Sequence, residues 1–173
     1  MIYRIKQFYR GLFAKVHPQD QRFLEKYLSD KEISLFYQLR IAEQRHCLNI
    51  AYDCLKIKKN NPTLIKAALL HDIGKVGSNL TLINKALVVL SIKFRIPKKM
   101  LPTFLTKALY YKENHPEIGG TLLRKIGTEK DVILLSRYHH LDSSSELPQY
   151  RESHFPNALI ETLQVLQKID EKN

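Results

Sequence analysis

The chain is short of cysteine, of acidic residues and of long apolar runs, and each shortage excludes something. Its 173 residues include two cysteines, Cys47 and Cys54. They lie seven apart in what reads as one helix, so two turns separate them by roughly 10 Å and no disulfide can join them. Reduced, buried thiols of this kind suit a cytoplasmic protein. The longest unbroken apolar stretch, Ala86 to Leu90, is far below the ~20 residues that a membrane-crossing helix needs. Residues 1 to 13, MIYRIKQFYRGLF, lack the continuous apolar core of a signal peptide. Their apolar positions recur at helical spacing between basic ones, which suits a helix lying on its own domain or on a membrane surface. Seventeen Asp and Glu face 28 Lys and Arg, a formal charge of +11. That balance suits an anionic partner, whether a phosphorylated small molecule, nucleic acid or an anionic membrane face. No repeat, low-complexity tract or series of alternating strands is present, which leaves an all-α reading.

Helical periodicity is present throughout. Phe23, Leu24, Tyr27 and Leu28 form one apolar stripe, and Ser29-Asp-Lys-Glu32 is a capping box that starts a helix carrying Ile33, Phe36 and Leu39. A third helix holds Arg45, His46, Ile50 and Leu55. Asn61-Pro62 then reads as an N-cap with proline in the first turn. Further helices are expected near 80–92, 103–112, 116–126, 129–139 and 157–170. The stretch 141–156, LDSSSELPQYRESHFP, is the one long irregular segment, a lid or a surface loop. The expected architecture is an all-α bundle over 41–173 with an N-terminal helical extension over 1–40.

The most apolar of these helices ends in AALLHDIGKVG, with His71 and Asp72 at its inner end. A histidine beside an aspartate at the end of a hydrophobic segment is costly to bury without partners. His46 lies on the preceding helix, His115 precedes Pro116, His139-His140 closes VILLSRYHH, and Asp170 closes ALIETLQVLQKID. His17 and His154 fall in loop-like sequence. Taken singly, each residue reads most simply as a hydrogen-bonded structural group. Taken together, five histidines and two carboxylates at helix ends or on inner faces are the donor set of a metal site in a helical bundle.

In this order, His46, His71-Asp72 within HDIGK, His115 within HPEIGG, His139-His140 and Asp170, the sequence resembles the HD superfamily of metal-dependent phosphohydrolases, specifically its HDIG branch, over roughly residues 40–172. The resemblance implies an all-α HD fold with one or two divalent transition-metal ions. His46, His71, Asp72 and Asp170 would hold the first. Asp72 would bridge to a second held by His115, His139 and His140. Mixed imidazole and carboxylate ligation suits iron, manganese, cobalt or zinc. The implied chemistry is hydrolysis by a metal-activated hydroxide, with Asp72 at its centre and Lys75 contacting a phosphate oxygen. As a plain helix-terminal cation, Lys75 would instead offset the dipole. Gly74 and Gly77 would turn the chain away from the site, Gly119 and Gly120 would permit close packing, and Glu117 would orient His115 from behind.

The expected substrate is a phosphomonoester, phosphodiester or phosphoanhydride of a nucleotide-like molecule. The glycine-tyrosine-proline signature of bacterial cyclic-dinucleotide phosphodiesterases is missing from HHLDSSSELPQY. Arg137-Tyr138-His139 is similar to an element of symmetrical dinucleoside tetraphosphate hydrolases, and LSDKEISLFYQLRIAEQRHCLNIA resembles the entry to small bacterial HD proteins without assigned substrates. The alternative is a non-catalytic module whose basic surface, including Lys56, Lys58, Lys59, Lys93, Arg95, Lys98 and Lys99, binds nucleic acid or a protein partner.

Overall fold

In the computed structural model, residues 13–58, 60–78, 81–141 and 155–173 are described. They form eight α-helices and no strand. The order is α1 (Pro18–Tyr27), α2 (Asp30–Phe36), α3 (Ile41–Ile57), α4 (Pro62–Leu70), α5 (Leu82–Lys93), α6 (Thr103–Ile126), α7 (Lys130–Tyr138) and α8 (Asn157–Asp170). Short 3₁₀ turns cover Ile73–Lys75 and Lys98–Met100. No helix among the described residues is long and apolar enough to cross a membrane. All but the last residue of the N-terminal helix expected over 1–13 and most of the 141–156 segment, including His154, lie outside the described residues, as does Lys59.

Local chemistry sets the helix starts. The amide of Ser29 donates to Glu32 Oε2 at 2.8 Å, so the capping box opens α2, and Leu64 N donates to Asn61 Oδ1 at 2.9 Å to open α4. Helix α2 stops at Phe36, but Leu39 still turns into the core. Gly127 ends α6 at φ 86°, a left-handed conformation that favours glycine.

One expectation fails. Separate helices near 103–112 and 116–126 are a single 24-residue helix, α6, with Pro116 inside it. Proline removes only one backbone donor, and packing of α6 against the 73–75 turn and α7 along its C-terminal half outweighs that loss. The carbonyl that Pro116 leaves without an amide partner is that of Lys112, four residues back, and it is taken by a side chain of the site.

The main core gathers Leu24, Phe36, Leu48, Ile65, Leu135 and Leu163, one from each of α1, α2, α3, α4, α7 and α8, all essentially inaccessible. A second, smaller cluster of Val88, Leu105, Ala108 and Leu109 joins α5 to the first half of α6. Buried polar groups tie the first two helices to the bundle. Asp20 accepts from Arg45 at 2.8 Å, from Tyr52 Oη at 2.7 Å and from the His17 amide at 2.7 Å. Glu32 lies 2.9 Å from Lys66 Nζ and accepts from Thr128 Oγ1 at 2.8 Å.

Candidate metal centre

Five elements end at one place. His46 comes from the middle of α3, His71 and Asp72 from the end of α4, His115 from α6, His139 and His140 from the end of α7, and Asp170 from the last turn of α8. The approach of the 73–75 turn to α6 depends on Gly74. A Cβ there would lie 1.8 Å from the His115 carbonyl oxygen and 2.6 Å from the Gly119 amide, so only glycine lets Asp72 sit beside His115. Gly119 in turn faces the Gly74 backbone, and Gly120 lies under the Arg137 side chain.

Around the centre, Asp72 Oδ1 lies 3.3 Å from His115 Nε2 and 4.0 Å from His139 Nε2, and Asp72 Oδ2 lies 3.6 Å from His71 Nε2 and 3.9 Å from His46 Nε2. Asp170 Oδ1 is 3.0 Å from His46 Nε2 and 3.8 Å from His71 Nε2. The ligand atoms of His46, His71 and Asp72 lie within 4.8 Å of one another, as do those of His115, His139 and His140, and those of His71, His139 and Asp170.

Each of the three buried imidazoles spends its other nitrogen on a backbone carbonyl. His71 Nδ1 donates to Ala68 O at 2.9 Å, and His139 Nδ1 to Ser136 O at 2.6 Å. His115 Nδ1 donates to Tyr111 O at 3.2 Å and to Lys112 O at 3.1 Å, the latter being the carbonyl released by Pro116. This fixes the Nδ1–H tautomer and leaves an Nε2 lone pair pointing inward. The Nε2 atoms of His71, His115 and His139 are buried and have no hydrogen-bond partner. Burial holds the His139 imidazole well below its usual pKa, with His71 and His140 adding to the effect. His71 is lowered by burial too, against the pull of Asp72 and Asp170. Both rings are therefore neutral, and lone pairs face a carboxylate that is also an acceptor. Acceptors gathered this way, without a donor between them, are repulsive unless a cation joins them. The residues present fit a divalent metal.

Asp72 is anionic: burial favours the neutral acid, but the Lys75 ammonium, His71 and His115 together outweigh it and keep the carboxyl well below its ordinary value. Lys75 Nζ sits 2.5 Å from Asp72 Oδ2 and 3.4 Å from Glu43 Oε2. Asp170 is likewise held below its usual range, its burial overcome by the bond to His46 and by His71 together. His140 is the exposed member, stacked on His139 with ring centroids 4.0 Å apart and 5.0 Å from the His115 ring. The enclosed side of its ring, and then His115 beside it, lower its pKa to about 4.

All seven expected ligands and Lys75 thus gather at one point. Glu117 does not stand behind His115. It pairs with Arg137, whose Nε donates to it at 2.5 Å, and the backbone orients His115 instead. Two neighbours of the site escaped the sequence reading. Glu43, three residues before His46 and on the same face of α3, is buried and approaches Lys75. Gln167, three residues before Asp170, donates to Leu141 O at 2.6 Å and ties the end of α7 to α8. In both, the i,i+3 spacing to an expected ligand was the available signal.

An all-helical bundle that brings imidazoles and carboxylates from five elements to one buried point defines a metal-binding class of protein. The family model described as the HD domain matches residues 44–171, and the chain belongs to that family. Proteins of this family bind divalent metals and are typically metal-dependent hydrolases. Comparison with curated proteins and with solved structures gave no match.

Proposed function

We propose that the protein is a metal-dependent phosphohydrolase of the HDIG branch, cleaving a phosphoester or phosphoanhydride of a nucleotide-like substrate. The observation that carries this reading is the set of three buried Nε2 atoms without partners, turned toward the carboxylate of Asp72 while their Nδ1–H groups are held by backbone carbonyls. In this reading His46, His71, Asp72 and Asp170 would hold one ion, and His115, His139 and His140 together with Asp72 would hold a second. Such ions supply a water whose pKa is lowered to ~7 and positive charge for the phosphoryl oxygens. The protein supplies the rest. The backbone carbonyls hold the buried imidazoles aimed, and the two carboxylates offset the ionic charge. Lys75, held by Asp72 and Glu43 at the mouth of the HDIGK turn, is placed to shift its ammonium onto a substrate oxygen.

Elemental analysis of the purified protein, supplied with manganese or with iron, tests the reading together with a hydrolysis panel of nucleotides, dinucleoside polyphosphates, cyclic dinucleotides and a generic phosphodiester. Asp72→Ala is expected to lose both metal and turnover. Lys75→Ala is expected to keep its metal and lose about 10²-fold or more in turnover, the usual effect of removing one positioned donor. Wild-type protein that takes up no transition metal would sink the proposal.

A further inference from the structure

The tip of the α5–α6 hairpin, from Leu90 to Phe104, takes no part in the candidate centre, and its surface is unlike the rest of the molecule. From Ile73 to Lys112 the chain carries eight Lys or Arg residues and no Asp or Glu. At the tip, residues 92 to 100 are all exposed. The tip alternates large apolar side chains with cations: Ile92, Phe94, Ile96 and Met100 stand among Lys93, Arg95, Lys98 and Lys99, with Phe94 and Met100 each 69% accessible. Leu90 and Phe104 extend the apolar surface onto both helices. Beneath the tip, the Val88, Leu105, Ala108 and Leu109 cluster gives it a support of its own.

The chemistry selects among occupants. A second copy docking by the same tip would bring Lys93, Arg95 and Lys99 against the same cations, at an electrostatic cost that the Lys98–Glu113 pair at 3.1 Å offsets only in part. Nucleic acid would take up the cations, but its interfaces are polar, and they give no account of exposed Ile92, Ile96 and Met100. Apolar side chains that enter an acyl boundary while neighbouring Lys and Arg meet anionic headgroups account for both features. We propose that the α5–α6 tip docks the protein on an anionic lipid surface, so that it is a peripheral membrane protein. This does not depend on the hydrolase reading.

The test is co-sedimentation of the full chain with vesicles of phosphatidylcholine and phosphatidylglycerol in equal parts, against phosphatidylcholine alone. Binding is expected to the first, to be weakened by salt, and to be absent or marginal with the second. Arg95 has φ 52°, a left-handed conformation, so Arg95→Gly removes a cation while relieving backbone strain. It is expected to lower partitioning about fivefold, the equivalent of ~1 kcal/mol per cation near an anionic surface, with no loss of thermal stability. Phe94→Ser combined with Met100→Ser is expected to lower partitioning at least tenfold. Three results would overturn the proposal. One is the absence of binding to the anionic vesicles. Another is binding that the tip variants leave unchanged. The third is loss, in the Phe94→Ser and Met100→Ser protein, of a dimer seen by sedimentation velocity, or selective loss of oligonucleotide binding in Arg95→Gly, with vesicle binding unaffected in either case.

Discussion

Asp20 shows how much a single residue can hold. Its carboxylate is inaccessible and accepts from Arg45, Tyr52 and the His17 amide, which fastens α1 to α3. Burial alone would raise its pKa, but these donors overcome it, and the net shift is downward. A carboxyl whose folded pKa lies below its unfolded value stabilises the fold above the unfolded pKa, and that contribution disappears as the pH falls through the folded one. Asp20→Asn is therefore expected to cost about 2–4 kcal/mol at neutral pH. The gap between wild type and variant should close as chemical denaturation is repeated below about pH 4. A gap of the same size at pH 7 and pH 3 would show that the contribution is packing, not charge.

Among the elements, the 73–75 turn and α6 are held together by an absence of side chain. Two glycines make contrasting predictions. Gly74 has its Cβ space filled by the backbone of α6, and relief requires backbone to move. Gly74→Ala should destabilise by about 3 kcal/mol or more and displace His115, so metal retention falls with the melting temperature. Gly127 has a left-handed φ of 86° but nothing within 4 Å of a Cβ. Gly127→Ala should cost only about 1 kcal/mol and leave metal content at the wild-type level. Paired melts and elemental analysis of the two variants separate crowding at the site from strain at a helix end.

For the whole molecule, the centre is where most of the bundle meets. Elements α3, α4, α6, α7 and α8 each contribute to it, and residues 13–40, the described part of what we propose as an extension over 1–40 to a domain over 41–173, are built into the same core through Leu24, Leu35 and Phe36. An ion that binds only the folded arrangement should stabilise the whole bundle, by ~2.7 kcal/mol at a hundredfold excess over its dissociation constant. Manganese added to stripped protein is expected to raise the melting temperature, and chelator to lower it. In Asp72→Ala both responses should vanish. Identical melts with and without chelator in the wild type would mean that the histidines are satisfied without an ion.

The helical class, most helix starts and the order of chemistry-bearing residues are legible along the chain, because caps, helical periodicity and the HDIGK and HPEIGG motifs are local signals. Ser29 and Asn61 cap their helices through atoms three residues away, and such contacts are readable along the chain. What lies far apart in sequence was decided only by tertiary structure. Pro116 reads locally as a break, yet packing of α6 on the 73–75 turn and α7 keeps the helix whole, and the carbonyl thereby released orients His115. Glu32 reads as a cap, yet it is also the buried partner of Lys66 and Thr128. Gly74 reads as a turn residue, but the need for glycine comes from a backbone more than forty residues on. Burial, orphaned lone pairs and close approach are properties of neighbours, and the chain acquires those neighbours only on folding.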